Sequence, residues 1–98
     1  MEIQKTQNGS ELTVALEGRL DTMTAPELEA ELNKSLDGAE TLTMDFSKLE
    51  YISSAGLRVL LSAQKAMGAK GGMKVTNVNE IVKEVFEVTG FTDILTIE

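Results

Sequence analysis

The sequence predicts an α/β fold: a single-domain mixed sheet with an opening antiparallel hairpin and parallel β-α-β crossovers. Two observations carry this. Apolar residues alternate at period two early in the chain and then recur at helical spacing in three later segments, each bounded by turn residues. The resulting order of strand, strand, helix, strand, helix, strand, helix, strand has connections so short that the later strands should pair in parallel through right-handed crossovers.

Residues 2–7 and 11–17 flank Asn8-Gly9-Ser10, and the second run alternates Leu12, Val14 and Leu16 against Thr13, Ala15 and Glu17. Together they read as a hairpin closed by an Asn-Gly turn. The same triplet matches a glycosylation sequon, but no secretion signal precedes it. Thr24-Ala-Pro-Glu27 reads as a capping box with proline in the first turn, and Leu28, Leu32 and Leu36 follow at a spacing of four before Gly38. Glutamates 27, 29 and 31 lie near the start of this amphipathic helix, where its dipole favours them.

Residues 41–46 read as the third strand and 54–67 as the second helix. The apolar positions Leu57, Val59, Leu60, Leu61, Ala63, Ala66 and Met67 cover more than one face, which predicts burial over much of its girth. Gly68–Gly72 ends that helix, and Met73–Thr76 reads as a short strand. Asn77 and Asn79 are candidate caps for a third helix over 79–89, whose stripe is Ile81, Val82, Val85 and Phe86 and whose end is Gly90. Residues 94–97 suit a last short strand. No repeat or linker interrupts this pattern, so one domain over 1–98 is expected.

Composition narrows the chemistry. The net charge of −7 repels a phosphate backbone, and no basic patch offsets it, so no nucleic-acid partner is expected. Cysteine and histidine are absent, which removes thiol chemistry, most zinc sites and the side chain most used for proton transfer near neutral pH. No stretch approaches the roughly 18 apolar residues of a membrane span, so direct membrane insertion is not expected and a cytoplasmic location is.

In an open α/β sheet, function collects beyond the carboxyl ends of the strands, at helix N-termini. Two segments qualify: "GRLDTMTA", Gly18–Ala25, and "LEYISSAG", Leu49–Gly56. If their strands are neighbours, Asp21 and Ser54 share one surface. The small residues Ser53, Ser54, Ala55 and Gly56 leave the helix start open to an anion. On spacing alone a serine here is more often only an N-cap, and Asp21 more often a turn former or cap.

"DFSKLEYISSAGLRVLL", Asp45–Leu61, "LEGRLDTMTAPELE", Leu16–Glu29, and "EIVKEVFEVTGF", Glu80–Phe91, together resemble the STAS domain of the anti-sigma factor antagonist family, bacterial regulators of sporulation and general stress. The resemblance spans nearly the whole chain in order. It implies a binding protein with no enzymatic activity and no cofactor. It also implies a serine phosphorylated by a partner that is at once anti-sigma factor and serine kinase, of the histidine-kinase-like ATPase type, and reset by a phosphoserine phosphatase.

The family motif reads Asp-Ser-[Ser/Thr]-Gly-Leu. Aligned on Gly56 it puts the phosphoacceptor at Ser54, with Ser53 where the aspartate usually stands and Ala55 where the second hydroxyl stands; Ser53 is the secondary acceptor candidate. Asp21, Thr22, Ser53, Ser54, Ala55, Gly56 and Arg58 form the expected partner-binding surface. A phosphate there is tolerated by the helix dipole, so the expected switch acts at the interface: the unmodified form binds the anti-sigma factor and releases a sigma factor.

The rival readings are a STAS interaction subunit of a signalling scaffold, or of an ABC-type lipid-transport complex. Ser62-Ala-Gln-Lys65 matches an S-x-x-K pattern, but inside a helix and without companion motifs. Asp45 at a strand end resembles a receiver phosphoacceptor without the receiver's other acids, and reads better as the cap of the following turn. "GAKGGMK" lacks the phosphate-loop spacing.

Overall fold

The computed structural model describes residues 1–98. Two strands open the chain, β1 (Glu2–Asn8) and β2 (Glu11–Leu20), joined by the two-residue turn Gly9-Ser10. Gly9 takes a φ of 66° at the first central position, the left-handed region that so tight a hairpin demands. Then follow α1 (Ala25–Ser35), β3 (Thr41–Ile52), α2 (Ser54–Gly68), β4 (Met73–Thr76), α3 (Glu80–Thr89) and β5 (Thr96–Ile97). The sheet order is β1-β2-β3-β4-β5, with β1 antiparallel to β2 and each later pair parallel, as the element order predicts.

Every crossover steps one strand along in the same direction, so right-handed connections place all three helices on one face of the sheet. Burial follows suit. Leu12, Val14 and Leu16 of β2, Leu42, Met44 and Phe46 of β3, and Met73 and Val75 of β4 are buried, whereas the alternate residues Thr13, Ala15, Thr43 and Lys74 are not. Leu28 and Leu32 of α1, Leu60 and Met67 of α2, and Val82 and Phe86 of α3 complete the core from the other side. All 23 residues of this core are apolar, so every titratable group lies at or near the surface.

Several local expectations are corrected. β3 runs to Ile52, six residues past the expected end at Phe46, and β2 to Leu20, so Gly18–Leu20 and Leu49–Ile52 are strand and not loop. The cause is a pair of register shifts between Ala15 and Glu17 and between Gly18 and Arg19, where β3 carries extra residues. Past Phe46 the inward positions are Leu49 and Ile52, three apart, and a period-two reading loses the strand there.

The capping box at Thr24 does not form. Its backbone is already helical, its hydroxyl donates to the Arg19 carbonyl at 2.8 Å, and the first turn is organised by Asp21 instead. α2 buries one face and not most of its girth: Leu61 is half-buried and Ala66 exposed. Of the two asparagines, only Asn79 caps α3, its Oδ1 accepting from Val82 N at 2.8 Å, while Asn77 is the one non-glycine residue with positive φ. Ile81 is 59% exposed and so falls outside the buried stripe of α3.

Candidate functional site

β2 and β3 are hydrogen-bonded neighbours with Leu20 opposite Ile52, so the chain leaves both strands at the same level. Ser53 N donates to the Leu20 carbonyl at 2.9 Å and extends the ladder one step into the junction. The expected "LEYISSAG" loop thus shrinks to Ser53, and α2 starts at Ser54. That abrupt start requires Gly56. A Cβ there would lie 2.7 Å from Leu20 Cγ and 2.9 Å from Ile52 Cγ1, closer than packed carbons approach.

Asp21 organises the facing loop. Its Oδ1 accepts from Met23 N at 3.0 Å and Thr24 N at 3.2 Å, while its own N–H donates to the Thr24 hydroxyl at 2.8 Å. Arg19 approaches the other carboxylate oxygen at 4.0 Å and lies over the Tyr51 ring, 4.4 Å from its centroid. Partial desolvation pushes this carboxyl up, but the N–H groups of Thr24 and Met23, the Thr24 hydroxyl and Arg19 outweigh it and hold Asp21 below its ordinary value. Asp21 is therefore an ionised turn organiser.

The expected surface residues divide by position. Ser54 and Arg58 are exposed, one turn apart on α2, and Thr22 is exposed at the tip of the facing loop. Gly56 is buried. Ser53 occupies the N-cap position in extended backbone, yet its hydroxyl caps nothing; the oxygen is buried and has no hydrogen-bond partner. Thr22, Ala55 and Arg58 come together along one groove between α1 and α2, floored by Pro26 and Val59 and bordered by Glu29. Asp21 and Ser54 do not line it: one shapes the loop and the other stands at its end.

Arg19 and Tyr51 were not singled out by the sequence. They are partners across β2 and β3, a pairing that exists only because of the register shifts, and no local pattern announces it. Asp45, for its part, ends the regular part of β3: its Oδ1 accepts from Ser47 N and from Asn77 Nδ2, both at 3.0 Å. It caps the irregularity that follows, as the turn-cap reading expects. No group of three or more acidic, cysteine or histidine side chains is arranged to hold a metal, and no helix is long and apolar enough to cross a membrane.

A sheet covered by helices on one face, an all-apolar core and a small-residue helix start flanked by a shallow groove suit a binding module. Comparison with known proteins gives the family. The model of the STAS domain described as "Mlab, STAS domain" matches residues 3–96. The Bordetella bronchiseptica protein named "Putative anti-sigma factor antagonist BtrV" is 40% identical over 85 residues, 85% of this chain and 73% of its own length. The anti-sigma-B factor antagonist of Bacillus subtilis is 29% identical over 93% of this chain and 84% of its own length.

Among solved structures, unphosphorylated SpoIIAA, an anti-sigma factor antagonist, superposes with a TM-score of 0.85 over 99% of this chain and 88% of its own at 19% identity. An anti-sigma factor antagonist from Mycobacterium paratuberculosis does so with a TM-score of 0.89 over 98% of this chain and 83% of its own at 23% identity. The chain belongs to the STAS domain, anti-sigma factor antagonist family, whose members are binding proteins and not enzymes.

Proposed function

We propose that the chain is a phosphorylation-switched antagonist whose unmodified form binds an anti-sigma factor through the α1–α2 groove and the start of α2, and thereby frees a sigma factor. The observation that carries this reading is the division of labour between the two serines. The Ser54 hydroxyl is exposed at the first position of α2, whereas the Ser53 oxygen is buried. Ser54 is the accessible acceptor, and Ser53 shapes the junction. SpoIIAA, which shares the fold, has been solved in a phosphorylated form as well.

Phosphate at Ser54 adds about −1.5 to −2 charges and three acceptor oxygens beside the groove. The α2 dipole accommodates that charge, so the fold survives. Arg58, four residues on along the same face and in no ion pair within the chain, is drawn to the phosphate and away from a docked partner. Glu29, on the groove's other border, repels it. A phosphate sealed under a partner without a matching cation carries a large desolvation cost.

The partner is an anti-sigma factor that is also a serine kinase of the histidine-kinase-like ATPase type, a phosphoserine phosphatase resets the switch, and the setting is the cytoplasm. The curated relatives named above, both anti-sigma factor antagonists, favour this over a role in a signalling scaffold or an ABC-type lipid-transport complex. Copurification with an ABC-type ATPase or a permease would reverse that preference.

Two measurements test the reading. Incubation with candidate kinases and ATP, followed by intact-mass and peptide mapping, should place one phosphate on Ser54; label confined to other residues overturns the assignment. Ser54→Asp should weaken calorimetric binding to that kinase by about tenfold or more, with an unchanged thermal midpoint. Equal affinity for both forms would sink the switch.

A further inference from the structure

α3 carries two apolar stripes where packing against the sheet requires one. Val82 and Phe86 point inward and are fully buried. Ile81, Val85 and Val88, at spacings of four and three, form a second ridge beside the first, in which Val85 is half-buried against the core edge while Ile81 and Val88 stand in solvent. Ile81 is 59% and Val88 81% exposed, and with Val85, Glu84 and Thr89 they line a shallow, largely apolar depression. Ile94, 43% exposed, follows in the chain after the helix ends at Gly90. Apolar residues scattered singly over a surface need no explanation, but three in helical register on one short helix do.

The charges around this ridge select its occupant. At 100° per residue Glu84 borders the ridge on its solvent side, with Glu80 and Glu87 behind it. None of these three carboxylates takes part in any of the chain's ion pairs, and Lys83, the only cation on α3, points to the far side. A second copy of the chain would press three unpaired carboxylates against three more on a molecule already at −7.

We infer that this face of α3 docks an amphipathic helix of another protein, one whose apolar ridge is flanked by lysine or arginine. The ridge supplies the i, i+4, i+7 anchors of helix-on-helix packing, and the glutamates supply the steering field and the rim. No residue of the ridge lies in the α1–α2 groove, so the two surfaces can be occupied at once. This surface goes beyond the proposed switch: it is independent of Ser54 and would persist when that serine is modified.

The test uses the full chain, isotopically labelled, and two synthetic helices of about 15 to 20 residues with the same leucine ridge, one flanked by lysines and one by glutamates. Titration followed by amide chemical shifts should show saturable changes confined to residues 80–94 for the lysine peptide. Its affinity should be about tenfold or more above that of the glutamate peptide, and should fall about tenfold in Val88→Ser, an exposed position whose replacement leaves the thermal midpoint in place. Ser54→Asp should leave it unchanged. The inference is overturned if shifts are absent from residues 80–94, if both peptides bind equally, if the changes map to the α1–α2 groove, or if sedimentation shows a dimer that Val88→Ser dissolves.

Discussion

Gly56 is the residue on which the candidate site turns. The family motif places a glycine there, and the geometry supplies the reason: α2 starts so close to β2 and β3 that Leu20 and Ile52 occupy the space of a side chain. Gly56→Ala should therefore cost about 1 to 3 kcal/mol through overpacking, measured by urea denaturation, and displace the start of α2. An alanine variant of wild-type stability would mean that the helix has room to spare. Ser53 shows the opposite relation. From the sequence it is a natural cap, but in the fold its hydroxyl is buried and bonded to nothing, so neighbouring serines with equal claims in the sequence differ completely in access.

Among the elements, the ends of the helices are held by groups distant in sequence. Lys70, past the end of α2, donates from Nζ to the carbonyls of Leu36 at 2.6 Å, Ala39 at 3.0 Å and Asp37 at 3.3 Å, pinning the turn that follows α1 to the end of α2. Lys70→Met keeps the aliphatic stem and removes the three bonds. It should cost about 1 to 2 kcal/mol and speed amide exchange across residues 35–39 while sparing α3; unchanged exchange there would show that the carbonyls do as well in water. Asn79 works similarly, capping α3 through Oδ1 while its Nδ2 donates to the Leu49 carbonyl at 2.8 Å. The cap was legible in the sequence; its tie to β3 was not.

At the scale of the whole molecule, acid should loosen the fold through three carboxylates. Glu31 is held below its ordinary value by a hydrogen bond from Lys5 and by the Lys5 and Lys34 charges, which joins α1 to β1. Asp45 is held down by the Asn77 side chain and the Ser47 N–H, joining β3 to the end of β4, and Asp21 by the bonds of its own turn. Depressed folded values mean that the stabilisation is complete above the unfolded values near pH 4 and disappears as the pH falls through the folded ones. The urea midpoint should hold between about pH 7 and 5 and decline below about 4, less steeply in Asp45→Asn. A midpoint that stays level down to about pH 3 would contradict these assignments.

The division between sequence and fold follows the range of the interactions. Period-two and helical spacings, turn glycines and the Ser53–Gly56 motif are local, and they sufficed for the element order, the hairpin, the parallel crossovers and the family. Extra residues in β3 are absorbed by pairing with β2, a long-range event that breaks the alternation without ending the strand, so the second half of β3 and the Arg19–Tyr51 pair emerged only in the folded chain. Which serine is accessible, and which apolar residues of α3 face outward, depend on how helices seat against the sheet. One chain segment does not contain that information, because burial is a property of both surfaces in contact.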